Sequence, residues 1–377
     1  MDSSRLGAAA DRSGGGGDLT VDIVISNHNY AEFLRDAIDS ACGQTHPDVN
    51  VIVVDDGSTD RSREILEAYG GQVEVVLKEN GGQASALNAG MERGRGECVI
   101  FLDADDQLMP HAAERVAAAF AGDRGLSKLQ FRMSFIDASG RPTGAAIPSG
   151  HLQAPTGDLR LAELAFPFDL PWLPGGGSAF RSDAVRRILP IPEQDYPRQG
   201  ADWYLVHLTA LLGNAAWLDE ACARYRVHGR NGYLQGSRLD LAHVRDSITY
   251  ADATSRALAE LADELGLDHA EPILSFSDLA NRLISLRLEP RLHPRRDDHV
   301  GRLVADSLRA VRRRFDVSWP VKLGMVMWAL AVAVAPRPVV RRLAELLLLP
   351  EGRRTWLNRL LGCLRRSSVD RPPEGNR

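Results

Sequence analysis

Three short apolar runs, each ending abruptly in polar residues, organise the first third of the chain: VDIVISNHNY (Val21 to Tyr30), VIVVDDGSTD (Val51 to Asp60) and CVIFLDADD (Cys98 to Asp106). Runs this short and this rich in Val and Ile predict buried strands. AEFLRDAIDSAC, SREILEAYG and ASALNAGMERG repeat apolar residues at helical spacing, so strand and helix patterns alternate within about 85 residues. That alternation predicts an α/β fold with a mostly parallel sheet flanked by helices. Such sheets bind ligands beyond the carboxyl ends of their strands, which is where these runs turn polar. Further on, WYLVHLTALLG predicts one helix, and the stretch from Leu234 to Arg314 reads mostly as helices, LDLAHVRDSITYADATSRALAELADELG being the clearest. Pro142 to Pro174, rich in Gly and Pro, predicts a long surface connection.

The polar ends carry the chemistry. Asp103, Asp105 and Asp106 crowd three carboxylates at one strand end. They repel and are costly to desolvate unless a cation offsets them, and a hard divalent ion with oxygen ligands suits them. Taken alone, a D-x-D also reads as an acidic turn capping the next helix. In DDGSTD, Gly57 permits the turn, while Ser58, Thr59 or Asp60 suits the cap of the following helix.

SNHNYAEFL, VVDDGSTD, NGGQASALNAG and FLDADD, in this order and spacing, resemble the nucleotide-sugar-binding half of the family-2 glycosyltransferases with the GT-A fold. GGGSAFRSDAV is similar to their acceptor-side segment, ILPIPE and GADWYL to the region of their catalytic base, and YRVHGRN to their closing loop, so the likeness runs from about Leu19 to Tyr233. The resemblance implies an inverting, metal-dependent transfer of a sugar from a nucleotide diphosphate sugar to a carbohydrate or lipid-linked acceptor, in polysaccharide or glycolipid assembly. It implies donor contacts at Ser26, Asn27, His28, Asn29, Asp55, Asp56, Asn88 and Asp103, with Asp55 at the base and Asp103 near the ribose. It gives Asp105 the role of binding Mg2+ or Mn2+, with His228 as a further metal or diphosphate contact. Arg226 and Arg230 flank His228, and guanidinium groups suit phosphate. The chain departs from relatives at His28, where they carry Tyr, and at Ala201-Asp202, where they show Glu-Asp. Asp202 is thus the carboxylate left to act as general base, although it also suits the cap of the helix that follows. The 142–174 connection becomes a place for acceptor selection.

Two other functions share parts of this pattern. A sugar-phosphate nucleotidyltransferase also pairs a parallel sheet with acidic metal ligands, but is expected to open on a Gly-rich phosphate loop that SNHNYAEFL does not supply. A catalytically silent nucleotide-sugar-binding protein has no need of Asp105 and Asp202. The Q-x-x-R-W pattern of processive relatives does not occur, which favours addition of single sugars.

Composition refines the picture. The 377 residues, 44% of them hydrophobic, have room for a catalytic domain at 19–235, a helical extension at 236–316 and a basic amphipathic tail at 317–377, after a disordered lead at 1–18 that lacks a signal peptide's apolar core. Four cysteines without C-x-x-C pairing argue against disulfides and zinc and fit a reducing cytoplasm. The net charge of −5 hides an acidic front and a basic end, with 19 Lys and Arg against 8 Asp and Glu from Arg291 onward. The uncharged run from Leu323 to Ala335 is shorter than the roughly 20 residues that span a bilayer. With Trp319, Trp328, Leu330, Leu346 to Leu349 and Trp356 it predicts helices lying in the plane of an anionic membrane, at its inner face. A helical subdomain burying these faces is the alternative. Basic residues mixed with Leu-rich faces argue against nucleic acid.

Overall fold

The computed structural model describes residues 19–149, 153–173, 175–231 and 239–349. The expected lead, and the tail beyond Leu349 with Trp356 and Cys363, lie outside the described residues.

The strand-helix alternation resolves into β1 (Val21–Asn27), α1 (Ala31–Cys42), β2 (Val49–Asp56), α2 (Ser62–Glu67), β3 (Glu74–Lys78), α3 (Gly82–Arg93) and β4 (Cys98–Asp103). These four strands are parallel in the spatial order β3-β2-β1-β4. Their register sets Ser26 beside Asp103, Asn27 beside Asp55 and Asp56 beside Lys78, so the polar strand ends form one rim. A β-strand sends alternate side chains to opposite faces. Ile23 and Ile25 therefore pack with Leu34 and Ile38 of α1, while Val24 packs with Leu87 of α3 on the other face.

Beyond β4 the sheet turns mixed. It continues through β5 (Gln107–Leu108), α4 (Ala112–Gly122), β6 (Leu126–Asp137), β7 (Pro142–Ile147), α5 (Arg160–Ala165), β8 (Ser178–Arg181), α6 (Ser182–Ile188), α7 (Ala201–Leu212) and β9 (Asn214–Val227). β8 runs antiparallel between β4 and β6, and β9 lies parallel to β6. The 142–174 segment is not simply a surface connection. It supplies an antiparallel partner to β6, and in α5 and the turn after it Glu163, Leu164 and Phe166 are buried. Its Gly and Pro content masked the short apolar pattern of RLAELAF.

The helical region holds α8 (Leu241–Leu265), α9 (Phe276–Leu288), α10 (Val300–Arg313), α11 (Trp319–Val334) and α12 (Arg337–Leu348). α8 starts on Asp240, whose carboxylate accepts the Ala242 amide at 2.8 Å, and ends on left-handed Gly266. Its middle packs Tyr250, Leu258 and Ala262 into the core shared with α3 and α7. Its first turns pack Val244 and Ile248 against Trp328 of α11 and Ala344 and Leu348 of α12. Cys42, Cys98 and Cys222 are free thiols.

Candidate active site

A cavity of about 500 Å3 opens at the rim. The β strands contribute Ser26, Asn27, Asp56 and Asp103, the loops after them His28, Tyr30, Asn80 and Asp105, α3 contributes Gln83, and the far wall is Arg198, Asp202, Trp203 and three residues of α8, namely His243, Ser247 and Tyr250.

The β1 and β2 ends are cross-linked. Asp55 is fully buried and accepts from Asn27 Nδ2 at 2.9 Å, from the Ser58 amide and from Arg63. Asp56, not Asp55, reaches the cavity wall. Its carboxylate accepts from Lys78 Nζ at 2.6 Å and from the amides of Gly81 and Gly82, fixing the start of α3. His28 donates from Nδ1 to the Asp56 carbonyl at 2.7 Å, and its Nε2 accepts from Asn80 Nδ2 at 3.1 Å. Asn29, at a φ of 60°, caps the β2 turn instead of facing the cavity, its Oδ1 accepting the Thr59 and Asp60 amides. Asn88 is not brought to the donor side. Its amide is saturated by the Ile191 main chain at 2.8 and 3.0 Å, so it staples α3 to the segment after α6.

Asp103, Asp105 and Asp106 hold carboxylate oxygens within 4.8 Å of one another. Burial and then the Asp105 charge push Asp103 up to about 7, and the same causes raise Asp106 well above the usual carboxylate range. Asp106 is committed to the Arg226 amide at 2.9 Å. Asp105 meets His228, whose Nε2 lies 2.8 Å from Oδ2. His228 Nδ1 accepts the Arg230 amide, which leaves Nε2 as the protonated nitrogen facing Asp105. Three adjoining carboxylates, two of them driven toward protonation, suit a divalent cation: the site fits a hard metal. Both flanking arginines are engaged within the protein. Arg226 is buried, stacks on Phe33 at 4.8 Å and bonds Asp36 and the Asp105 carbonyl, while Arg230 pairs with Glu32 at 2.7 Å.

Asp202 sits in the first turn of α7, where a helix amino terminus favours negative charge. The N-cap is Gly200, so Asp202 is not the cap. Its oxygens accept the Gly175 amide at 3.2 Å and its neighbour's amide at 3.1 Å, and burial raises it above the ordinary range. Gly200 has a φ of 91°, and an added Cβ would lie 2.7 Å from the Tyr250 ring. Tyr250 of α8 therefore presses on the turn that presents Asp202.

The motifs NGGQASALNAG and GADWYL contain Asn80, Gln83 and Trp203 without giving them a role, and nothing in the sequence pointed to the α8 residues. NGGQ contained the signal for the first two, since Gly82 takes a φ of 84° and lets the next side chain enter the cavity. His243, Ser247 and Tyr250 carry no local signature.

A parallel sheet with acidic strand ends, continued by a mixed half that returns a general-base candidate to the same cavity, defines a GT-A-type fold. Comparison with known proteins agrees. The model of Glycosyl transferase family 2 matches residues 22–189. An uncharacterized glycosyltransferase of Nostoc sp. is 32% identical over 225 residues, 58% of this chain and 68% of that protein. Chondroitin synthase of Pasteurella multocida is 34% identical over 134 residues, 35% of this chain but only 14% of that protein. S. aureus TarS 1-349, at 18% identity, superposes with a TM-score of 0.53 over 86% of this chain and 90% of that chain, and it has also been solved with UDP-GlcNAc. The chain belongs to glycosyl transferase family 2.

Proposed function

We propose that the chain moves a sugar from a nucleotide diphosphate sugar to a hydroxyl of a carbohydrate or lipid-linked acceptor, with inversion at the sugar carbon. The observation that carries this reading is one cavity lined on its donor side by Asp103 and Asp105 and on its far side by Asp202. Solved complexes of TarS with UDP and UDP-GlcNAc favour a uridine donor.

Ser26, His28, Asp56 and Asn80 line the nucleoside side, and Asn27 brings a buried Oδ1 that has no protein partner among the described residues. Asp105, with Asp103 beside it, would hold Mg2+ or Mn2+, and His228, bonded to Asp105 through Nε2, would orient that carboxylate or contact the diphosphate. Such an ion supplies Lewis acidity against the charge of the departing diphosphate. Asp202 takes the acceptor hydroxyl proton, and its amide contacts hold the carboxylate in place as it does so. A single carboxylate on the acceptor side suffices for direct displacement, without a covalent enzyme intermediate. We place the end of the catalytic unit after α8, near residue 265 and not at 235, because α8 walls the cavity.

Titrating a panel of nucleotide sugars with Mn2+ by calorimetry, then following transfer and product anomeric configuration by NMR, tests the reading. Retained anomeric configuration would overturn the inverting mechanism. Donor binding without turnover on any acceptor or water would return the silent binding protein.

A further inference from the structure

We infer that the outer face of α11 docks on an anionic lipid bilayer, lying in its surface. The helix is 16 residues long, about 24 Å, and apolar all round except for Lys322 in its first turn. A helix of that composition belongs inside a core or against lipid. Only one side of α11 meets the protein: Ala329 and Val332 are buried against α9, α10 and α12. On the other side Trp319, Leu323, Met327, Leu330 and Val334 are exposed, from 41% for Leu330 to 83% for Val334. At 3.6 residues per turn these five positions fall within an arc of about 80°, forming one continuous stripe. Contiguous exposed apolar surface of this kind marks an interaction face.

Charge chooses the occupant. Lys322 flanks the stripe within the first turn of α11, and Arg337, Arg341 and Arg342 follow it at the exposed start of α12. Those three arginines have no carboxylate partner among the described residues, and α12 has one acidic residue, Glu345. An apolar stripe edged by unpaired cations matches the headgroup and acyl layers of an anionic leaflet, and polybasic residues strengthen such binding additively. No helix among the described residues is long and apolar enough to cross a membrane, so contact is in the surface plane.

The geometry gives this face a purpose at the transfer site. Trp328 of α11 and Leu348 of α12 pack on Val244 and Ile248 of α8, and the adjoining face of α8 brings His243, Ser247 and Tyr250 to the cavity. One helix thus separates the lipid-facing layer from the acceptor wall, where a lipid-linked acceptor is delivered. This last step rests on the proposed transfer function; the docking itself does not.

The test is flotation of the full chain with vesicles of phosphatidylcholine alone and of phosphatidylcholine with phosphatidylglycerol, at low and high salt. Two variants accompany it, one with Leu323, Met327, Leu330 and Val334 each changed to Asn, the other with Arg337, Arg341 and Arg342 each changed to Gln. Binding to the anionic vesicles that falls at least 10-fold in both variants, and weakens with salt in the parent, is expected. Donor affinity, measured on the same preparations by calorimetry, is unchanged. A parent that ignores anionic vesicles overturns the proposal, as does an Asn variant that binds them like the parent. Dimerisation of the parent by light scattering, lost in the Asn variant and without vesicle binding, overturns it in favour of a second copy. Vesicle binding is read without donor or acceptor, so its failure is separate from failure of the transfer reading.

Discussion

Replacing Asp202 by Asn separates the chemistry of this residue from its structural role. The carboxylate accepts two amide hydrogen bonds, at 3.2 and 3.1 Å. Asn keeps one acceptor oxygen, so one bond worth about 1 kcal/mol is lost, together with a helix-terminus interaction of roughly 0.5 kcal/mol. Against this, the neutral amide removes a buried charge, and burial is the first cause of the raised Asp202 value. These contributions oppose one another, and the melting temperature is expected to move by only a few degrees. Transfer loses its proton acceptor and falls by about 100-fold or more, equivalent to at least about 2.7 kcal/mol in the barrier. The parent's rate climbs with pH as Asp202 ionises, and the climb is centred above the normal carboxylate range; the variant lacks that limb. Donor binding by calorimetry stays within a few-fold, because the Asp202 charge only adds to the repulsion felt by Asp103. Near-parental turnover with the acidic limb intact would refute the assignment.

Further outcomes follow from neighbouring features. Asp105→Ala abolishes the Mn2+ dependence of donor binding, because the carboxylate facing His228 is lost from the acidic cluster; calorimetry with and without Mn2+ checks this, and equal affinities in parent and variant would remove Asp105 from the metal site. Gly82→Ala meets both a φ of 84° and the Pro197 carbonyl 2.2 Å from the new Cβ, so it displaces the 197–200 segment and weakens donor and acceptor use together, with a destabilisation of about 1–3 kcal/mol readable by urea melts. Lys128 is buried with its amine 3.1 Å from the Trp172 ring centre, and burial pulls it down from 10.5 to about 7. Between those values the unfolded chain holds more protons than the folded one, so this lysine makes stability rise from pH 7 toward 10.5. Lys128→Met is expected to be at least as stable as the parent at pH 7 and to show a flatter pH slope in scanning calorimetry, and a large loss of stability there would show that the charged amine holds the fold.

The donor half was legible because its information is local. Each strand carries its own polar ending, and the parallel register then brings Ser26 to Asp103 and Asn27 to Asp55 without any further specification. Pattern could not settle which of two adjacent carboxylates faces the cavity. Strand alternation turns Asp55 toward Asn27 and α1 and Asp56 toward α3, a choice fixed by a one-residue phase. Asn88 and the two arginines of RVHGR misled for a related reason: residue type suits a ligand, but Ile191, Asp36 and Glu32 take those hydrogen bonds, and none is near in sequence. His243, Ser247 and Tyr250 were illegible for a stronger reason. Along α8 they are ordinary polar and aromatic positions, and only the packing of that helix across α7 gives them a cavity to face.

That packing makes α8 the element through which the helical region acts on the catalytic one. Tyr250 presses against Gly200, the residue that turns the chain into α7 and so aims Asp202. On the same helix Val244 and Ile248 are held by Trp328 and Leu348. A shift of α11 and α12 would reach the wall opposite the acidic cluster along this 25-residue helix, whose cavity-lining residues all lie on that wall. Truncation of the C-terminal helices is therefore expected to raise the KM for the acceptor while donor affinity holds. Loss of donor affinity instead would mean that the two halves of the cavity are not mechanically separate, and that α8 supports the donor rim as well.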